Sequence, residues 1–181
     1  MHPSSWIFLI FVCVCLAAIL LVLHLTELGR MIHQQIPDRP QRRLFLASVS
    51  FFVTFLSVRL LVFCIMHHIG PFGWVETRGV HIHHLVWGIL ILLLCGYGEL
   101  TEVGDRDTPV SILLSRLLAL SYGAGAALTL DEFAIWLNLD PSAYWGALNR
   151  ESIDAVILFG ALLAIGALGA PLFRNIFRRD P

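Results

Sequence analysis

Five apolar blocks, 6–28, 44–66, 81–98, 110–130 and 153–173, alternate along the chain with short polar stretches. Each is close to the ~20 apolar residues that a helix needs to cross a bilayer. The stretches between them carry turn-forming residues. The first linker holds Pro37 and Pro40 among arginines, and the second holds Gly70, Pro71 and Gly73. Gly104, Asp105, Asp107 and Pro109 punctuate the third. In the fourth, Asp140 precedes Pro141 and Ser142, which predicts a short ordered piece with Asp140 as N-cap and Pro141 at its first position. The pattern predicts an all-α, polytopic membrane bundle of five transmembrane helices, forming one membrane domain over 1–181.

Composition sharpens this reading. The chain is 57% hydrophobic and 14% charged, against about 25% charged residues in a soluble domain. The first block has no basic residue before it and no small-residue cleavage site, so it reads as a retained helix. Cys13, Cys15, Cys64 and Cys95 fall inside apolar blocks with no CxxC spacing, which suits small packing residues. No lysine occurs, so every fixed positive charge is an arginine.

Those arginines orient the bundle. With five crossings, Arg30, Arg39, Arg42, Arg43, Arg106, Arg116, Arg174, Arg178 and Arg179 lie toward one face. Arg59, Arg78 and Arg150 lie toward the other. Positive charge is retained in the cytoplasm. The expected topology is therefore N-terminus out and C-terminus in, across a bacterial cytoplasmic membrane. Trp6, Trp74, Trp87, Trp136 and Trp145 all map to the outer half, as an interfacial belt. Small residues in the fourth block (Gly123 to Ala127) and the fifth (Gly160, Ala164, Gly166, Gly169, Ala170) predict close packing of these two helices, on each other or on the third.

The same topology gathers scattered polar residues at the outer face. His67 and His68 end the second helix, while His81, His83 and His84 begin the third. Asp131 and Glu132 end the fourth, and Glu151 and Asp154 begin the fifth. On a regular helix His81 and His84 share one face, as do Glu151 and Asp154, and His83 points away. Asp131 and Glu132 diverge by ~100°, so only one is expected to face the bundle. A site of His81, His84, Asp131 and Asp154 has ligands suited to zinc, iron or manganese. Glu132 or Glu151 would then serve as general base on a metal-bound water. His67 and His68 adjoin a loop, where solvent contact is expected.

Arg59 lies about 10 Å below the outer end of its helix, at 1.5 Å per residue. A charge at that depth costs ~3 kcal/mol or more unless paired. It is expected to pair with Asp131, Glu132 or Asp154, or to hold an anionic substrate group. Arg116 is expected to snorkel to the cytoplasmic surface. The loop at 138–149, with Tyr144 and Trp145, is expected to fold as a short interfacial helix over the site, as a lid or an anchor.

The strings Gly79-Val80-His81-Ile82-His83-His84-Leu85, Leu130-Asp131-Glu132-Phe133-Ala134 and Ser152-Ile153-Asp154-Ala155-Val156 resemble those of a group of small bacterial polytopic membrane proteins. The resemblance covers the third to fifth helices. It implies that the three strings belong together and brings no activity, substrate or cofactor with it. The repeated HxxHH boxes of membrane fatty-acid hydroxylases, a P-loop, a nucleophile elbow and a dinucleotide fingerprint are missing.

Three roles follow as expectations. The first is a metal-dependent hydrolase or transferase acting on a lipid or lipid-linked head group, with Glu132, Glu151 and Arg59 as its catalytic groups. The second is a non-catalytic metal-binding protein. The third is a structural or partner subunit of a membrane complex, in which the polar cluster is an ion-pair network that fixes helix packing. Haem held between histidines fits less well, because these histidines sit at helix ends. No nucleic-acid partner is expected.

Overall fold

The computed structural model of the protein describes residues 26–36, 38–70, 72, 76–77, 80–81, 83–145 and 148–177, with positions 14 and 17 in addition. The first apolar block lies almost wholly outside the described residues. The remaining elements run, in chain order, as helix α1 (Glu27–Gln35), α2 (Arg39–Met66), strands β1 (Glu76–Thr77) and β2 (Val80–His81), and helix α3 (His84–Leu100). There follow α4 (Pro109–Asp131), α5 (Phe133–Asn138), a single 3₁₀ turn (Pro141–Tyr144) and α6 (Asn149–Phe177).

Local chemistry explains the boundaries. Pro40 sits in the first turn of α2 and Pro109 opens α4, where the missing N–H costs nothing. The Thr108 side chain caps α4 by accepting from the Ser111 N–H. Asp140 caps the 3₁₀ turn in the predicted way, accepting from the Ser142 N–H at 2.9 Å. The second apolar block extends to Arg39, because the arginines of its first turns find partners beyond the helix end. The third begins at His84 and not at His81. Val80 and His81 pair instead with Thr77 and Glu76 in an antiparallel two-residue ladder.

Among the described residues three helices are long and apolar enough to cross a membrane: α2, α4 and α6 over Asn149–Gly169. The apolar helix α3 has 17 residues, about 25 Å of length at 1.5 Å per residue. The outward surface of these helices is apolar. Leu94, Leu158 and Leu168 are 71%, 72% and 70% exposed, a pattern that suits lipid, since a lipid-facing helix loses nothing by exposing leucine.

The helices alternate in direction. On α2 and α4 the contacts Arg43 to Ser115, Ser50 to Leu120 and Arg59 to Asp131 advance together, so the two run parallel. On α3 and α4 they run in opposite order: Gly88 lies by Thr129, Gly98 by Leu118. On α2 and α6 Phe52 meets Gly160 and Leu44 meets Gly166, again antiparallel. Helix α4 occupies the centre, with Gly123 to Leu128 all buried. A Cβ on Gly123 would stand 2.1 Å from the Ala47 carbonyl oxygen. A Cβ on Gly88 would stand 2.8 Å from the Gly125 carbonyl oxygen. The small residues of α4 thus seat α2 and α3. Gly160 and Gly166 of α6 face aromatic and leucine side chains of α2, a partner the sequence did not indicate, while Ala126 and Ala127 of α4 share a core cluster with Val156 and Leu163 of α6.

Candidate functional site

Four segments meet at the end of the bundle where α2 and α4 finish and α3 and α6 start. Helix α4 delivers Asp131 as its last residue. Glu132 then adopts φ −101° and ψ 18°, leaving the helix before α5 begins. This break lets both acids turn inward: Asp131 is 0% and Glu132 3% exposed. The expectation that only one would face the bundle assumed an unbroken helix.

Asp131 is bonded from three directions. Arg59 of α2 donates through Nε to Oδ1 and through a terminal nitrogen to the Asp131 carbonyl oxygen at 3.2 Å. His84 of α3 places Nε2 2.9 Å from Oδ2. The Tyr144 hydroxyl donates to the same oxygen at 2.6 Å. Glu132 binds the start of α3. His83 Nδ1 lies 2.8 Å from Oε1, and the Leu85 N–H donates to Oε2 at 2.8 Å. His84 Nδ1 lies 3.5 Å from Glu132 Oε1. Both ring nitrogens of His84 therefore face carboxylates, and either tautomer finds an acceptor. Glu132 also occupies an N-terminal position on α3, where the carboxylate meets a backbone N–H and the positive end of the helix dipole.

The 3₁₀ turn closes over this cluster, as the loop at 138–149 predicted. The Arg59 guanidinium lies 4.5 Å from the Tyr144 ring centre, 5.4 Å from Phe55 and 5.5 Å from Trp145. Three aromatic faces and a carboxylate thus surround a charge that would be costly alone. Burial, and then the Asp131 charge, push the Tyr144 phenol far above its ordinary range, so it stays a donor.

The other candidate residues lie elsewhere. Asp154 is exposed and faces Arg150 at 3.6 Å, one helical turn away. Glu151 accepts from the Asn138 side chain at 2.6 Å, which ties α6 to α5. The neighbouring Ser152 hydroxyl accepts the Ala134 N–H at 2.9 Å, fixing the start of α5 on α6. His81 is in β2, outside the helix that was to carry it, and its side chain lies outside the described residues. His67 and His68 are exposed, and His67 Nδ1 lies 2.9 Å from the Phe63 carbonyl oxygen. Of the predicted set, Arg59, His84, Asp131 and Glu132 come together, joined by His83 and Tyr144. Among the described residues no group of three or more His, Cys, Asp or Glu side chains is arranged to hold a metal ion.

No family model, curated protein or solved structure matches the chain.

Proposed function

We propose that the chain is a five-span protein of the bacterial cytoplasmic membrane, N-terminus out, in which the Arg59–Asp131–His84–Glu132 cluster is an ionic clasp at the extracytoplasmic end. The alternating directions of α2, α3, α4 and α6, and the arginines at the opposite end, support this topology. The role that suits the clasp is structural: a membrane subunit whose helix ends are locked to present a fixed outer surface to a partner. One observation carries this reading. All four side-chain oxygens of Asp131 and Glu132 already face nitrogen or hydroxyl groups of the chain, drawn from α2, α3 and the 3₁₀ turn.

A second reading rests on the identity of the groups that meet. Two imidazoles, His83 and His84, and two carboxylates, Asp131 and Glu132, have the chemistry of a zinc, iron or manganese site. That site would serve a hydrolase or transferase for a lipid or lipid-linked head group, or a non-catalytic metal carrier. Here Glu132 or Glu151 would act as base and Arg59 would hold the anionic group. Metal binding requires His83 and His84 to exchange their carboxylate partners for the ion.

Metal content of the purified protein, beside a His81→Ala, His84→Ala double variant, separates the two. The clasp predicts sub-stoichiometric metal in both proteins after reconstitution, with the variant less heat-stable. Near-stoichiometric metal that vanishes in the variant would overturn the clasp in favour of the metal centre.

A further inference from the structure

The opposite end of the bundle carries a second concentration of charge. Arg39, Arg42 and Arg43 occupy the first two turns of α2, and Arg116 the second turn of α4. These four arginines and Ser115 line a shallow open cleft, with Leu46 and Ile112 completing the lining. No acidic residue is among the lining. Four acids lie around it: Asp38 precedes the first turn of α2, Asp107 pairs with Arg39, Glu99 pairs with Arg43 at 2.7 Å, and Asp105 faces both Arg43 at 3.1 Å and Arg39 at 3.8 Å. Arg43 also donates to Ser115 Oγ at 2.7 Å and to the Val103 carbonyl oxygen at 3.0 Å. Arg39 donates to the Gly104 carbonyl oxygen at 3.3 Å, and Arg42, buried, to that of Ile36 at 3.0 Å. The guanidinium groups are thus held in place by bonds to the loop after α3 and the end of α1.

The backbone adds to this field. Helices α2 and α4 run parallel, so both N-termini, each carrying the positive end of a helix dipole, lie at this same end. Basic residues in a first turn oppose that dipole, and the first turn of α2 contains no acid. Like charge is gathered where the helices least favour it, beside a cleft of their own making. An anion at this position would be a further acceptor for the arginine forks and would lie beside both helix N-termini.

We propose that this cleft binds a phosphate group, in contact with Arg39, Arg42, Arg43 and Arg116. Planar guanidinium forks match phosphate oxygens in pairs, which suits a phosphate over a single halide. Leu46 and Ile112 give the cleft an apolar edge, and it lies where the apolar stretch of each helix begins. A phospholipid headgroup and a soluble phosphate share this chemistry, and the experiment distinguishes them.

The full-length protein is purified in detergent and tested with two probes. Native mass spectrometry measures retention of phosphatidylglycerol against phosphatidylcholine, and titration calorimetry measures inorganic phosphate. Preferential retention of the anionic lipid, lost at least tenfold in Arg42→Gln, Arg116→Gln and kept in the exposed control Arg150→Gln, assigns a headgroup site. Phosphate binding with the same variant pattern and no lipid preference assigns a soluble anion. Binding of neither probe, or equal binding by the parent and the double variant, overturns the proposal. Should the buried Arg42 substitution prevent folding, Arg116→Gln alone decides: a loss of threefold or more supports the site, and unchanged binding sinks it.

Discussion

Arg59 and Asp131, 72 positions apart in sequence, are bonded twice: side chain to side chain, and side chain to the last helical carbonyl of α4. The second bond matters as much as the first. Carbonyls at a helix C-terminus lack partners within the helix, and a guanidinium is the strongest donor available to one. Arg59 therefore neutralises the carboxylate and caps the helix that presents it. The Asp131 side chain is fully buried and that of Arg59 is 13% exposed. Removing Asp131 leaves the Arg59 charge without its carboxylate, and removing Arg59 leaves Asp131 with only His84 and Tyr144, at a cost of up to about 3–5 kcal/mol. Arg59→Gln and Asp131→Asn should each lower the thermal midpoint in detergent by many degrees. The double variant Arg59→Gln, Asp131→Asn should lose less than the two single losses added together. A double variant whose loss equals the sum of the two single losses would show that the pair has no coupling.

Tyr144 tests whether the 3₁₀ turn is fastened to the cluster or only rests on it. Its hydroxyl bond goes to a charged acceptor, a class worth about 1.5–3 kcal/mol. Tyr144→Phe keeps the ring against Arg59 and deletes only that bond, so it should destabilise by that amount. Tyr144→Ala should cost more, because the aromatic contact goes too. The pH dependence has a definite sign. The folded state raises the phenol pKa, while an unfolded tyrosine ionises at about 10. The native state then binds the proton that the unfolded state releases. Stability from this group is complete below about pH 10 and falls as pH rises further. Thermal midpoints between pH 8 and 11 should fall more steeply for the parent than for Tyr144→Phe, and parallel curves would refute the assignment.

The way this cluster was hidden in the sequence follows from the helix ends. Arg59 was legible, because a charge ten ångströms into an apolar helix needs a partner and three acids lay at the same depth. Asp131 and His84 were legible for the same topological reason. His83 was misjudged because it was placed on a continuous helix from His81. It is in fact the residue before the first turn of α3, with φ −68° and ψ 142°, and the extended backbone turns it toward Glu132. Glu132 was half-seen, since its inward turn depends on the break after Asp131. Asp154 and Glu151 share a helix face as foreseen, yet α6 packs on α2 through Gly160 and Gly166, which leaves Asp154 exposed toward Arg150. The i, i+3 spacing gives the shared face but carries no information on where that face points. Tyr144 had a signal in the paired aromatics, but its acceptor could be identified only once α5 had folded back.

Asp140 offers a prediction independent of the buried cluster. Its carboxylate accepts from the Ser142 N–H and from the Ser142 hydroxyl. The backbone bond first, and the hydroxyl second, hold its pKa below the ordinary value. A depressed carboxyl contributes stability above its unfolded pKa, about 3.9, and that contribution fades as pH falls through the folded value. Asp140→Ala should speed amide exchange at Ser142 and Ala143 at neutral pH. Asp140→Asn, which keeps an accepting oxygen, should do so less. Equal exchange in all three proteins would show that Pro141 alone sets the turn.

Gly123 and Gly96 form the sharpest contrast in the packing. Both are helical, and both would gain helix propensity as alanine, by ~1 kcal/mol in water. Their surroundings decide otherwise. A Cβ at Gly96 has nothing within 4 Å, whereas one at Gly123 would meet the Ala47 carbonyl oxygen at 2.1 Å and its Cα at 3.0 Å. Backbone atoms of a helix cannot step aside as a side chain does, so α2 and α4 must separate. Separation stretches the Ser50 hydroxyl bond to the Leu120 carbonyl, 2.7 Å long and fully buried. It also pulls on the Arg59–Asp131 pair two to three turns further along. Gly96→Ala should leave the thermal midpoint unchanged or raise it slightly. Gly123→Ala should lower it by an amount typical of overpacking, about 1–3 kcal/mol. Because the displaced helices also carry Arg59 and Asp131, Gly123→Ala combined with Asp131→Asn should cost less than the two changes added together. Strict additivity would mean that the strain at Gly123 is absorbed locally and never reaches the clasp.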